Sequence, residues 1–141
     1  MGTRSLTFVY NDHKEPIINL YRQYDGYPSG HGAELAEFLA PLTLVNGFGR
    51  DTANLANGMG CLAAQMVSHF KKGCGTFYVM DVEDRDCGQD YEYHIYQNED
   101  KDLCVRVKDR GWNAFGLTMS DKDECIFDGP IYRFEEFCEE E

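Results

Sequence analysis

The sequence has no apolar run approaching the roughly 18 to 20 residues of a membrane-spanning helix, so a helical membrane protein is excluded. No Cys-x-x-Cys pair occurs, and no Walker or dinucleotide-binding glycine loop, which removes the standard zinc, thioredoxin-like and nucleotide-fold signatures. The acidic segment from Glu83 to Asp90 lacks the Asp-x-Asp-x-Asp-Gly spacing of a calcium loop and reads as a solvated loop. Internal repeats, linkers and low-complexity segments are absent. The first residues, Met1-Gly2-Thr3-Arg4-Ser5, pass straight into an alternating strand without the apolar core of a signal peptide, so a cytoplasmic location is expected.

Basic residues are also scarce. Lysine and arginine number 13 against 25 acidic residues, a net charge of −12 over 141 residues, with acid concentrated after Asp81 and at Glu135-Glu136 and Glu139-Glu140-Glu141. A surface of that sign repels a phosphate polymer, so direct nucleic-acid binding is disfavoured. Two partners pass this filter: a small anionic molecule held by local positive potential, or a basic protein surface drawn to the acid. Whether the chain forms a homo-oligomer is left open.

The six cysteines, at 61, 74, 87, 104, 125 and 138, are far apart and read as reduced thiols acting as small apolar residues. A zinc site built from Cys74, Cys87 and His94 would match no standard ligand spacing. Neither a metal nor another cofactor is expected.

At this length one domain spanning residues 1–141 is expected, large enough to bury about two-thirds of the surface its unfolded form exposes. Leu6, Phe8 and Tyr10 alternate with Ser5, Thr7 and Val9, a polar turn follows at Asn11–Glu15, and Pro16 opens a second strand through Ile18 and Leu20 to Tyr24. Matching the apolar parities pairs Phe8 with Ile18 and Leu6 with Leu20. Arg4 then falls opposite Arg22 on the core side. Like charges so placed are destabilising unless an anion lies between them. That anion is either internal, with Asp25, Glu34 and Glu37 nearest in sequence, or a phosphate or carboxylate of a ligand.

Between Tyr21 and Glu34 stand three tyrosines, Arg22, His31 and three glycines, a density of hydrogen-bonding groups and flexible backbone that packing rarely requires. Asp25-Gly26-Tyr27-Pro28 is turn chemistry. Ser29-Gly30-His31-Gly32 then leads into a helix over Ala33–Ala40, whose entrance would offer uncovered N–H groups to an anion. A second entrance at Asn46-Gly47-Phe48-Gly49-Arg50 precedes Asp51-Thr52, an N-cap signal, and a long amphipathic helix in which Gly58 and Gly60 imply close approach of another element. Three alternating runs follow, Thr76–Val82, Tyr91–Gln97 and Leu103–Lys108, the last two as a hairpin. Residues 109–129, with Trp112, read as irregular, and Ile131–Cys138 as a terminal helix. Tyr91, Tyr93 and Tyr96 offer faces for stacking a base or sugar. The expected fold is α+β: an antiparallel sheet of about five strands with two helices on one face, in the order ββααβββ plus the terminal helix.

The strings Gly2-Thr3-Arg4-Ser5-Leu6, Tyr21-Arg22-Gln23-Tyr24-Asp25-Gly26-Tyr27-Pro28 and Gly30-His31-Gly32 resemble a group of small proteins of unassigned activity from bacteria, bacteriophages and large DNA viruses. The resemblance covers about the first third of the chain. It implies a phage or viral setting, hence a host cytoplasm, in which small acidic proteins sequester nucleotide signals or imitate nucleic acid.

Three functions follow as expectations. The first is a binding protein for a small anionic, nucleotide-like ligand, a counter-defence sponge in a viral setting, with Arg4, Arg22 and Arg50 for charge, the backbones of Gly30 to Gly32 and of Gly47 to Gly49 for donors, and Tyr24, Asp25, Tyr27 and His31 around the ligand. The second is an acidic inhibitor of a protein or a nucleic-acid mimic. The third, an enzyme with His31 as acid or base beside Asp25 and Tyr24, is disfavoured because no nucleophile, metal set or carboxylate pair accompanies the histidine.

Overall fold

The computed structural model describes residues 2–47, 49, 53–111 and 124–140. Eight strands and three helices follow in chain order: β1 (Ser5–Tyr10), β2 (Pro16–Arg22), a π-helical turn (Pro28–Gly32), α1 (Ala33–Leu39), β3 (Thr43–Val45), β4 (Leu55–Asn57), α2 (Gly58–Phe70), β5 (Phe77–Met80), β6 (Tyr91–Gln97), β7 (Leu103–Asp109), β8 (Glu124–Pro130) and α3 (Ile131–Glu140). The α+β class is as expected, but the arrangement is richer. Six strands form one sheet in the order β5-β2-β1-β6-β7-β8, antiparallel except where β1 runs parallel to β6, and β3 and β4 make a separate parallel pair.

Helices α1, α2 and α3 pack on one sheet face. Leu35 and Leu39 from α1, Leu62, Met66 and Phe70 from α2, and Phe134 from α3 share a buried core with Val9, Leu20, Tyr93, Ile95, Val105 and Val107 from the strands. In α2 the buried positions Met59, Leu62, Ala63, Met66 and Phe70 recur at helical spacing, and side chains of this size contribute about 1.5–3 kcal/mol each when fully buried. The helix starts at Gly58, later than the sequence pattern suggests, because Asn54 (φ 62°) and Gly58 (φ 83°) take left-handed backbone that a helix cannot continue through. No atom lies within 4 Å of a Cβ built on Gly58 or Gly60, so neither marks a close crossing; Gly58 turns the chain into the helix and Gly60 sits within its first turn.

The β1–β2 register also differs from the apolar-parity pairing. Leu6 faces Tyr21, Phe8 faces Asn19, and Ser5 rather than Arg4 faces Arg22. Parity matching assumes that one sheet face is buried, whereas here every residue from Ser5 to Val9 is buried. The segment between β5 and β6 covers the second face. Asn19 Nδ2 donates to the carbonyls of Asp81 (3.1 Å) and Asp84 (3.0 Å), and the Arg85 guanidinium lies 4.5 Å from the centre of the Phe8 ring. That segment is therefore a lid on Leu6 and Phe8, although Asp81, Glu83 and Asp86 do face solvent.

The hairpin of β6 and β7 forms as its pattern predicts, around residues 98–102. β8 falls in the stretch read as irregular; Trp112 lies outside the described residues. All six cysteines are free thiols. Cys104 and Cys138 are buried, as small apolar residues would be, while Cys61, Cys74 and Cys125 are exposed. Among the described residues, no helix is long and apolar enough to cross a membrane, and no group of three or more metal-ligating side chains occurs.

Candidate functional site

The one-residue change in register separates the two arginines. Arg22 points to the helix side, where it is buried against the Phe77 ring. Its Nε donates to the Tyr24 carbonyl (2.6 Å), and its Nη1 reaches both Glu34 and, at 3.2 Å, His31 Nδ1. The anion that Arg22 requires is thus internal, the Glu34 carboxylate. Arginine has only donors, so His31 Nδ1 is the acceptor and Nε2–H donates to Thr7 Oγ1 (2.8 Å). His31 is fully buried. Burial and the neighbouring Arg22 charge depress its pKa to about 3, which keeps it a neutral core residue.

The glycine turn is equally committed. Gly30 N–H donates to the Tyr27 carbonyl (2.9 Å), as does Gly32 N–H at 3.4 Å, and His31 N–H donates to the Asp25 carbonyl (2.7 Å). A Cβ on Gly30 would stand 2.5 Å from that same carbonyl, so glycine is required there by close packing. Tyr24 and Tyr27 are exposed, Arg4 lies just before β1 with its N–H on Asp90, and Arg50 falls outside the described residues. The turn brings Arg22, His31 and Glu34 together as a buried structural cluster, not as a cavity wall.

The cavity lies on the other sheet face, beyond the lid. Its volume is about 690 Å³, within the range of small-molecule sites. Tyr10, Asn11 and Lys14 come from β1 and the following turn, Arg85 from the lid, Glu92, His94, Tyr96, Gln97, Asn98 and Glu99 from β6 and its turn, and Arg106, Lys108 and Arg110 from β7 and the residue after it. Strand alternation builds this wall: Glu92, His94 and Tyr96 share one parity on β6, and Arg106 and Lys108 are directly opposite His94 and Glu92 on β7. Among the described residues of this wall, five cations stand against two carboxylates.

Glu92 is the most buried of these charges. His94 Nε2 (2.9 Å), Gln89 Nε2 (2.8 Å) and Arg110 Nη1 (2.8 Å) all donate to its carboxylate. Burial alone would raise its pKa, but the hydrogen bonds from His94 and Gln89, with the charges of His94 and Arg110, prevail and hold it down at about 2. An ionised Glu92 only accepts, so Nε2 of His94 carries a proton, and Nδ1 faces the Tyr10 hydroxyl at 2.6 Å. The imidazole is stacked on Phe8, with ring centres 5.2 Å apart and planes 5° apart. Burial raises the pKa of Tyr10, opposed by a hydrogen bond and charge from Arg85.

Arg106 donates through Nε to Asp128 (3.0 Å), which also accepts from Tyr96. Burial, and then the bond and charge of Asp128, push the Tyr96 hydroxyl well up, so it stays a neutral phenol. Among the described residues, Arg85 and Lys14 have no carboxylate within ion-pair distance. The arrangement places cations beside a proton-bearing Tyr-His-Glu chain.

No family model, curated protein or solved structure matches the chain. Of the residues expected in the sequence to touch a ligand, Tyr96 alone reaches this cavity, joined by His94, which the sequence offered only as a zinc ligand; Tyr93 points into the core with its hydroxyl on the Gly26 carbonyl, at 2.7 Å. The overlooked signal was the polar parity of two strands, Glu92-x-His94-x-Tyr96 and Arg106-x-Lys108-x-Arg110, running beside each other.

Proposed function

We propose that the protein binds a small anionic, nucleotide-like ligand in the cavity over β6 and β7. One observation carries this reading: five of the chain's 13 basic residues converge on one cavity in a molecule of net charge −12. An oxyanion 4 Å from one such cation gains on the order of 1–4 kcal/mol, depending on how much water remains between them. Tyr10 and Tyr96 supply aromatic surface for a base or sugar, and Arg85, which has no carboxylate partner among the described residues, is the natural first contact for phosphate.

Titration calorimetry with adenosine 5′-monophosphate, adenosine 5′-diphosphate and inorganic pyrophosphate tests this. Saturable binding of at least one is expected, with thermal stability rising as ligand concentration rises, and at least a tenfold loss of affinity in Arg85→Gln. If the parent protein is indifferent to all three anions, the proposal fails.

A second reading has its own support. Glu135, Glu136, Glu139 and Glu140 are exposed on α3, remote in sequence from the cavity strands, and suit a basic protein surface. Such a partner would be lost steeply with added salt and would not respond to Arg85→Gln.

A further inference from the structure

Resting on the cavity as the anion site, we propose that Tyr10 is its switchable donor: protonation of His94 turns the Tyr10 hydroxyl from an inward donor into a donor to the ligand, so that binding a fully ionised phosphate group takes up one proton. The geometry leaves few alternatives for where the protons sit. Glu92 fixes a proton on His94 Nε2, so a neutral His94 has only a lone pair at Nδ1. The 2.6 Å contact then requires Tyr10 O–H to donate inward, and the phenol's remaining lone pairs accept from donors such as Arg85, so Tyr10 offers an anion no O–H of its own. When His94 gains its second proton, Nδ1–H donates to Tyr10 Oη. The phenol O–H is released and turns outward.

The proton comes from water and no bond other than N–H and O–H is altered. The charged groups that face His94 act together. They are Glu92 on its own strand, Arg85 from the lid, Arg106 directly opposite on β7 and Arg110. Asp128 neutralises Arg106 in part. An entering dianion offsets the remaining cations, so ligand and proton each favour the other, as linkage requires. A dianionic phosphate monoester end, with acceptors only, is the group that profits most from the outward O–H.

Sulfate is the probe, because its own charge does not change across the histidine range. Calorimetry in buffers of different ionisation enthalpy should report uptake of about one proton per sulfate, and affinity should rise up to about tenfold per pH unit as pH falls from about 8 to about 5. Tyr10→Phe retains the ring and removes the hydroxyl. It should bind sulfate at least tenfold more weakly at the acid end and lose most of the pH slope. His94→Gln, with folding of both variants checked by thermal unfolding, should bind with no slope. If Tyr10→Phe retains the full slope, the effect is the bare charge of His94 and the switch is overturned. Sulfate binding to the parent without proton uptake overturns the switch alone. Absence of sulfate and nucleotide binding at every pH overturns the cavity as an anion site, and the switch with it.

Discussion

His31 remains neutral in the folded chain at a pH where an unfolded histidine is charged, and this sets the sign of an acid-stability effect. With its pKa lowered from 6.5 to about 3, the unfolded state binds the extra proton first, so stability is complete above 6.5 and falls as pH drops from there towards 3. Glu92, lowered from 4.5 to about 2, contributes in the same direction only below 4.5. Chemical denaturation should therefore show the parent losing stability relative to His31→Gln by up to about 1.4 kcal/mol per pH unit between 6.5 and 4.5. Parallel curves for the two proteins would mean that His31 is not held neutral. Arg22→Gln belongs to the same cluster. It removes donors from the Tyr24 carbonyl and His31 Nδ1 but leaves Glu34 half in water, so a loss of about 2–3 kcal/mol is expected, with anion affinity unchanged. A fall in affinity at constant stability would instead return Arg22 to a ligand site.

At the level of elements, strands and helices with strong periodicity were legible and their contacts were not. α1, the β6–β7 hairpin and α3 follow from their patterns, whereas β3 and β4, three residues each, are too short to leave one. The β1–β2 register could not be read because β1 is covered on both faces, so apolar parity no longer distinguishes inside from outside. Locating the cavity required the same knowledge: Arg106 and Lys108 become a wall only once β7 is paired with β6 and the segment around Arg85 is laid over Phe8. In the π-helical turn the role of Gly30 and Gly32 is close packing. Gly30→Ala should cost about 1–3 kcal/mol in urea denaturation, since its Cβ would meet the Asp25 carbonyl at 2.5 Å and backbone must move. A variant as stable as the parent would show that the turn has slack.

For the whole molecule, composition correctly indicated an acidic body but could not locate its exception, a cationic cavity in a field of net charge −12. These two scales of charge act over different distances. A ligand in the cavity is within a few ångströms of Arg85 and Lys108, where salt screens little, while an approaching anion meets the field of the whole body. The screening length shrinks from about 30 Å at 0.01 M salt to about 8 Å at 0.15 M, so added salt removes the long-range repulsion first. Association of a small dianion with the parent protein should consequently become faster over that salt range, while dissociation quickens more and net affinity falls. This is opposite to the usual slowing of electrostatically steered binding. Stopped-flow measurements of a fluorescent nucleotide at the two salt concentrations read both rates. Association slowed by salt would mean that the ligand is steered in by a positive surface extending well beyond the cavity, and that the acidic body plays no part in excluding longer phosphate chains.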